Sequence, residues 1–427
     1  MWNQNRSRIF RSSMSLLFAN LVALTVPAGV SLADDWPQFL GPNRNGISAE
    51  TGLIDAWPTD GLPVVWRTEL GVSMSGMAIV GDRLYTMYQD EAVQYAVCLN
   101  ANTGESIWIQ EIAPAYQNQM GNGPRATPTV SGNQVFAYSG QGVLVALNAE
   151  NGAKQWSALP VTEFLEEPAD YGMACSPLVL DDLVVVTVGG PEATLVAYHC
   201  NNGELAWKVG SDRTGYSSPN LISINGRRQL VALTGNSVLG IEPTMGTLLW
   251  RYPFETDYDC NTATPIAVAD KVFVSAGENH GCVLLTIDAE GDDVQAKVDW
   301  ESQGRNSVMR NEWQTSILWD GYLYGLDNVG SAGAVTHLNC VDADTGKKKW
   351  QETRFGKSNF IAADGKMFGT TFDGEVFVVK ISPEGFEELG RMQVLEATRQ
   401  APALANGRIY VRDDEQVVCL SVKADGK

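Results

Sequence analysis

Tryptophans recur along this chain at 66, 108, 156, 207, 250, 300 and 350, separated by 42, 48, 51, 43, 50 and 50 residues. A period of that length marks a repeat architecture, in which each unit buries its apolar faces only against its neighbours. In five units a glycine stands four residues ahead of the tryptophan: Gly104, Gly152, Gly203, Gly246 and Gly346. The strings around them, such as LNANTGESIW and VDADTGKKKW, read as strand, polar turn, strand, with glycine suited to a left-handed turn position. Two more strand-like runs lie upstream of each hairpin, as in ATPTVSGNQVFAYSGQGVLVALNA. Four short strands per unit predict an all-β chain, a β-propeller of four-stranded antiparallel blades.

Units ending at Trp108, Trp156, Trp207, Trp250, Trp300 and Trp350 give six blades. A seventh runs through FIAADGKMFGTTFDGEVFVVKISPEGFEEL, where Leu389, four residues after Gly385, is expected in the tryptophan's place. The last unit has three strands, and Pro63 to Trp66 are expected to supply its fourth, making an eight-bladed ring closed by an N-terminal strand. Pairing first strand with last removes the exposed edge of an open ring. The seven tryptophans, Trp66 included, are read as structural, packing blade against blade.

Ahead of the ring, residues 1–33 read as a Sec-type signal peptide. Arg6, Arg8 and Arg11 precede an apolar stretch from Met14 to Val30, and Ser31-Leu32-Ala33 supplies small residues for cleavage. Residues 34–62 form an N-terminal extension and 63–427 the propeller. Loss of the leader's three arginines takes the formal charge from −20 to −23. So acidic a surface argues against nucleic acid and anionic lipid as partners. No later segment is long and apolar enough to span a membrane, and no cysteine stands at the cleavage position to carry a lipid. The expected address is periplasmic or secreted, and the expected state monomeric. The seven cysteines include no adjacent pair and no C-x-x-C, so they are read as mostly buried free thiols.

Five units begin with a small residue and proline: ATP (126–128), CSP (175–177), SSP (217–219), ATP (263–265) and QAP (400–402). Polar residues crowd just ahead of these and the equivalent starts. Arg125, Tyr171, Tyr216, Asn261, Arg310, Asn311, Lys357, Arg399 and Gln400 are the candidates for the mouth of the central channel. A cationic, amide-rich rim on an acidic protein suits a small anionic ligand or the anionic group of a protein partner. The alternative reading gives these residues only structural hydrogen bonds between blades. No catalytic residue is assigned. The three histidines show no metal-ligand spacing, so no metal is expected, and the G-x-S-x-G elbow is missing. Gly121-Asn122-Gly123-Pro124-Arg125-Ala126 fits a dinucleotide fingerprint as text, but a strand follows where that motif needs a helix. The acidic stretch 288–293 reads as an exposed turn, and Asp257-Tyr258-Asp259 as a loop near the channel.

Taken together, small-residue-Pro, strand, Leu-Asn/Asp-Ala-x-Thr/Asn-Gly-x-x-x-Trp resembles the PQQ-like repeat, over the whole region from Pro63 onward. That repeat is shared by quinoprotein alcohol dehydrogenases and BamB-like assembly lipoproteins. WPQFLGPNRNG (36–46), GPRATP (123–128), GYSSP (215–219), ATPI (263–266) and YVR (410–412) look most like secreted, planctomycete-type PQQ-binding-like propellers. The resemblance implies the eight-bladed fold and an exported protein. It leaves two functions open. One is a non-catalytic binding or scaffold module, BamB-like in kind. The other is a quinoprotein-like oxidoreductase holding PQQ at the channel mouth through Arg125, Asn261, Asn311 and Arg399. The chain departs from the dehydrogenases in lacking their adjacent cysteines and room for calcium-binding insertions, and from BamB in lacking a cysteine after its leader.

Overall fold

Each sequence unit folds as one antiparallel four-stranded sheet, and eight such sheets make the ring in a computed structural model. It describes residues 35–290, 293–330 and 335–424. The leader assigned to 1–33 and the tip of the acidic 288–293 stretch lie outside them. Blade 1 comprises Ala78–Val80, Arg83–Gln89, Val93–Asn100 and Ser106–Pro114, from the channel outward. Blades 2 to 7 repeat that order, beginning at Thr129, Leu178, Asn220, Ile266, Ile317 and Ser358. Blade 8 takes Ala403–Ala405, Arg408–Arg412 and Gln416–Ser421 from the end of the chain and Val64–Glu69 from its beginning. No helix among the described residues is long and apolar enough to cross a membrane.

Blades pack face to face, so their second and third strands are covered on both sides. Leu183–Gly190 and Ala193–His199 are accordingly almost wholly buried, an apolar run without polar alternation. Each fully buried Val or Leu contributes about 1.5–3 kcal/mol. The outermost strand has one covered face, and Leu205–Val209 alternates accordingly around buried Trp207.

All eight outer strands carry a β-bulge against the third strand. In blade 3, Leu205 pairs with Tyr198 and Trp207 with Ala197, leaving Ala206 as the extra residue. The bulge turns the indole toward the next blade. There its N–H donates to a turn carbonyl: Trp66 to Ala101 (3.0 Å), Trp108 to Ala149 (3.1 Å), Trp156 to Cys200 (2.7 Å), Trp300 to Ala343 (2.9 Å) and Trp350 to Ser382 (2.8 Å). The repeated glycine is the receiving surface. Gly152, at φ 73°, lies so close that a Cβ would stand 2.7 Å from the Trp108 ring. Trp250 differs, donating to Gln229 Oε1 at 2.7 Å within its own blade. Blade 5 has Ala296 four residues before Trp300, and its hairpin runs on to Glu290 and Asp293.

The bulge register corrects one expectation. In blade 7, Glu388 pairs with Val379 and Gly390 with Val378, so Leu389 is the extra residue and Gly390 holds the tryptophan's place. Counting from Gly385 misplaces it because this hairpin is wider, closed from Lys380 N–H to Glu387 O where blade 1 closes from Asn100 to Glu105. An indole is nonetheless present: Trp57, from the N-terminal extension, lies where a Gly390 side chain would begin.

The extension begins against innermost strands of the ring and ends on the outermost strand of blade 7. Trp36 bridges Ile79 in blade 1, Ile47 bridges Ala362 in blade 7, and Leu53 bridges Lys423 beyond blade 8. Between them Arg44, fully buried, donates to the carbonyls of Ser176 and Pro177 at the head of blade 3, both at 2.8 Å. Burial lowers its guanidinium to about 10, so it remains charged at neutral pH.

Candidate functional site

Around the channel mouth the segments entering the inner strands are laced to one another, blade by blade. Ser75 Oγ donates to Ala126 O at 2.6 Å. Ser176 Oγ accepts from Thr127 N–H, Ser218 Oγ from Ser176 N–H and Thr315 Oγ1 from Thr264 N–H, at 2.9–3.0 Å. Ser217 Oγ donates to Ala263 O at 2.9 Å. Glu312 and Lys357 form an ion pair at 2.8 Å between blades 6 and 7. Asn359 donates to Arg399 O and Gln400 to Ser73 O, both at 2.8 Å, which completes the circuit to blade 1. Hydroxyls suit this work because one side chain satisfies a backbone group that no ladder reaches.

The laced segments enclose a cavity of about 420 Å³, floored by Phe39 of the extension. Extended backbone points alternate residues to opposite sides, so one register position recurs in every blade as a lining residue, with Gly76, Thr127, Ser176, Ser218, Asn359 and Ala401, two residues further on, lining the space as well. That position is two residues ahead of the Ser, Thr or Ala of each small-residue-Pro element: Arg125, Ala174, Tyr216, Thr262 and Arg399. Met74, Trp313 and Lys357 hold the equivalent place in blades without the proline.

Of the residues singled out from the sequence, Arg125, Tyr171, Tyr216, Lys357, Arg399 and Gln400 line this cavity. Asn261, Arg310 and Asn311 lie further upstream and do not. Asn261 is buried, its amide donating to the carbonyls of Thr234 and Phe254. Arg310 is buried against Asp327, Nε to Oδ1 at 2.5 Å. Asn311 donates to Leu326 O and accepts from Ser316 Oγ. These three hold blade backbone in place. Trp313, Met74, Met120 and Phe39 also line the cavity without any polarity to mark them, as do Glu312, which was not singled out, and Tyr258 of the loop expected near the channel. The positional rule finds Met74 and Trp313. Asp257–Asp259 forms a single 3₁₀ turn at the rim, with Asp259 held by Arg213 at 2.7 Å.

Arg125 and Arg399 are joined through one loop. Arg125 donates to the carbonyls of Gly121, at 2.7 Å, and Gly123, while Arg399 donates to Met120 O at 3.1 Å. Gly121, at φ 133°, permits this; a Cβ there would meet Met74 Sδ at 2.7 Å. Arg125 lies over the Tyr116 ring at 4.8 Å, and Arg399 over Trp313 and Phe372, each at 5.5 Å. Such stacking fixes the guanidinium planes. Burial lowers Arg125 to about 10, with nearby Arg399 adding to the effect against Tyr116 and Tyr216. Among the described residues neither arginine has a carboxylate at ion-pair distance, and Arg399 Nε is buried without a hydrogen-bond partner. Lys357 is different, paired with Glu312 and lying 4.4 Å from the Trp313 ring centre.

PQQ carries three carboxylates on a flat ring system, and its fit here is partial. Arg125 and Arg399 suit two carboxylates, but Lys357 is engaged by Glu312, and Asn261 and Asn311 are turned away. All seven cysteines are free, and no group of three His, Cys, Asp or Glu side chains with metal-binding geometry stands among the described residues. The residues present do not reproduce a calcium-quinone centre, and no redox step is derived from them.

Comparison with known proteins places the ring in a wider group. The family pattern described as outer membrane protein assembly factor BamB matches residues 55–170 and again 94–352. BamB from Yersinia pestis is 22% identical over 293 residues, 67% of this chain and 71% of that protein. Tetrathionate hydrolase from Acidithiobacillus ferrooxidans is 24% identical over 235 residues, 52% of this chain and only 39% of the hydrolase. Among solved structures, BamB from Moraxella catarrhalis superposes with a TM-score of 0.59 at 14% identity, covering 86% of this chain and 99% of that one. Quinohemoprotein alcohol dehydrogenase from Comamonas testosteroni gives 0.67 at 14% identity, covering 92% and 81%. At that identity the likeness is one of fold.

Proposed function

This chain belongs to the family described as outer membrane protein assembly factor BamB, and from that premise we propose that it is a non-catalytic binding module of the cell envelope. It holds the anionic group of a protein partner or small ligand at the mouth of its channel, acts as a monomer, and reaches its place by the leader at 1–33. The observation that carries this reading is the pair Arg125 and Arg399, two stacked guanidinium groups without a carboxylate partner in a protein of net charge −20. Arg125 is buried with no carboxylate at ion-pair distance, a costly placement for a cation that an arriving anion offsets, while Arg399 is half-buried and lies in the field of Asp414. The family's name, which speaks of assembly, supports a protein partner.

Titration of the purified chain with PQQ and calcium, alongside simple carboxylates, tests it. Expected is saturable anion binding that Arg125→Ala weakens at least tenfold, with no dye-linked oxidation of alcohols or sugars. Sustained turnover with PQQ would replace this reading with a quinoprotein-like oxidoreductase.

A further inference from the structure

The extension supplies the floor of the channel-mouth cavity through Phe39, and five residues further on it carries a charge. Arg44 is 2% exposed and donates from Nη2 to Ser176 O at 2.8 Å, and Ser176 is itself a lining residue. Ser176 thus borders both the guanidinium and the cavity. Two costs meet at Arg44. Among the described residues no carboxylate lies at ion-pair distance from it, and its Nε is buried without a hydrogen-bond partner. Its backbone is left-handed, at φ 49°, in a turn closed from Gly46 N–H to Leu40 O, a conformation that glycine or asparagine adopts more easily. The carbonyls of Ser176 and Pro177 and Gln38 Oε1 accept its Nη hydrogens, but an amide side chain could serve such acceptors without the desolvation penalty of a charge. What the arginine alone adds is a positive charge beneath a cavity that Arg125 and Arg399 already line. Low-dielectric walls carry the field of such a charge further than water does.

Resting on the reading of the channel mouth as an anion site, we infer that Arg44 is a positioning residue of that site. Out of contact with the ligand, it supplies a third positive charge that draws the anionic group down toward Phe39 and Ser176. The extension is thereby part of the binding site as well as of the fold.

Gln38→Glu tests this while leaving the arginine in place. Gln38 Oε1 accepts from Arg44 Nη1 at 3.2 Å, so a glutamate there sets a counter-charge beside the guanidinium. The substitution gives up one exposed bond, from Gln38 Nε2 to Pro42 O at 3.1 Å. Calorimetric titration of the full chain and its variants uses benzoate and benzamide, alike in shape and different in charge. The parent is expected to bind benzoate at least tenfold tighter than benzamide. Gln38→Glu should lower benzoate affinity about fivefold and leave benzamide unchanged, and Arg44→Gln should do the same. Arg44→Lys keeps the charge and loses the planar fork, so it should hold benzoate within about twofold of the parent even where its melting temperature falls. If Arg44→Gln does not fold, Gln38→Glu still decides. Benzoate affinity unchanged in Gln38→Glu, or lowered equally with that of benzamide, would overturn the inference, and the anion site would stand if Arg125→Ala still costs tenfold. Equal binding of benzoate and benzamide by the parent, or binding of neither, would overturn both.

Discussion

The indole N–H of Trp108 donates to the carbonyl oxygen of Ala149 in the neighbouring blade at 3.1 Å, and the Trp108 ring lies directly on Gly152 of the same turn. The same inter-blade hydrogen bond recurs at Trp66, Trp156, Trp300 and Trp350. Gly152→Ala would add a methyl 2.7 Å from the ring at a left-handed φ of 73°. Overpacking of this kind costs about 1–3 kcal/mol, and a left-handed alanine about 1 kcal/mol more. The variant is expected to unfold at clearly lower urea concentration. Trp108→Phe, which keeps most of the ring and loses the hydrogen bond, is expected to cost about 1 kcal/mol.

Blade 7 provides a second test, because its indole comes from elsewhere in the chain. Trp57→Ala should destabilise the ring by about 1–3 kcal/mol, less than a fully buried tryptophan because Trp57 is half-buried. Adding Gly390→Trp to that variant supplies the ring from the position used by the other blades, and is expected to recover part of the loss. Gly390→Trp alone, with Trp57 in place, should be more damaging than either. Thermal melts of the three variants against the parent would read this order, and simple additivity of the two substitutions would contradict it.

A third prediction concerns acid. His280 is packed edge-on against Phe254, with ring centres 4.3 Å apart and Nε2 buried without a hydrogen-bond partner. Burial lowers its affinity for a proton below that of an ordinary histidine, against the pull of Asp257, and burial acts in the same direction on His337. The unfolded chain therefore takes up these protons first as pH falls. Their contribution to stability is complete above the ordinary value of about 6.5 and declines as pH drops through it toward the lowered folded-state values. Urea midpoints at pH 7.5 and 5.5 are expected to differ less in His280→Gln than in the parent, the remainder carried by His337 and the carboxylates.

The blade count, the four-strand unit and closure by Val64–Glu69 were legible in the sequence because the tryptophan-glycine turn repeats and each strand run is short and apolar. Leu389 was misread because a spacing rule cannot see a wider hairpin, and Trp57 lies outside the period altogether. The cavity was half legible. Arg125 and Arg399 stood out as charges, whereas Met74 and Trp313 occupy the same register without any polarity to mark them. Asn261 and Asn311 looked alike in the sequence, but sit further upstream, where side chains bond to blade backbone. Nor did composition reveal that serines and threonines of blades 1 to 6 lace one inner segment to the next, since those bonds join residues 42 to 51 positions apart.

Closure also governs the order in which this molecule can be made. Arg67 in the closing strand bonds Gln416, 349 positions along the chain, and Glu50 in the extension accepts from Gly407 N–H across 357. Neither contact exists until the final blade is available, so earlier blades wait with an unsealed edge and an open channel floor. Contacts of such long separation make folding slow. A polypeptide with this wiring gains the rigidity of a closed ring only after its last strand has emerged.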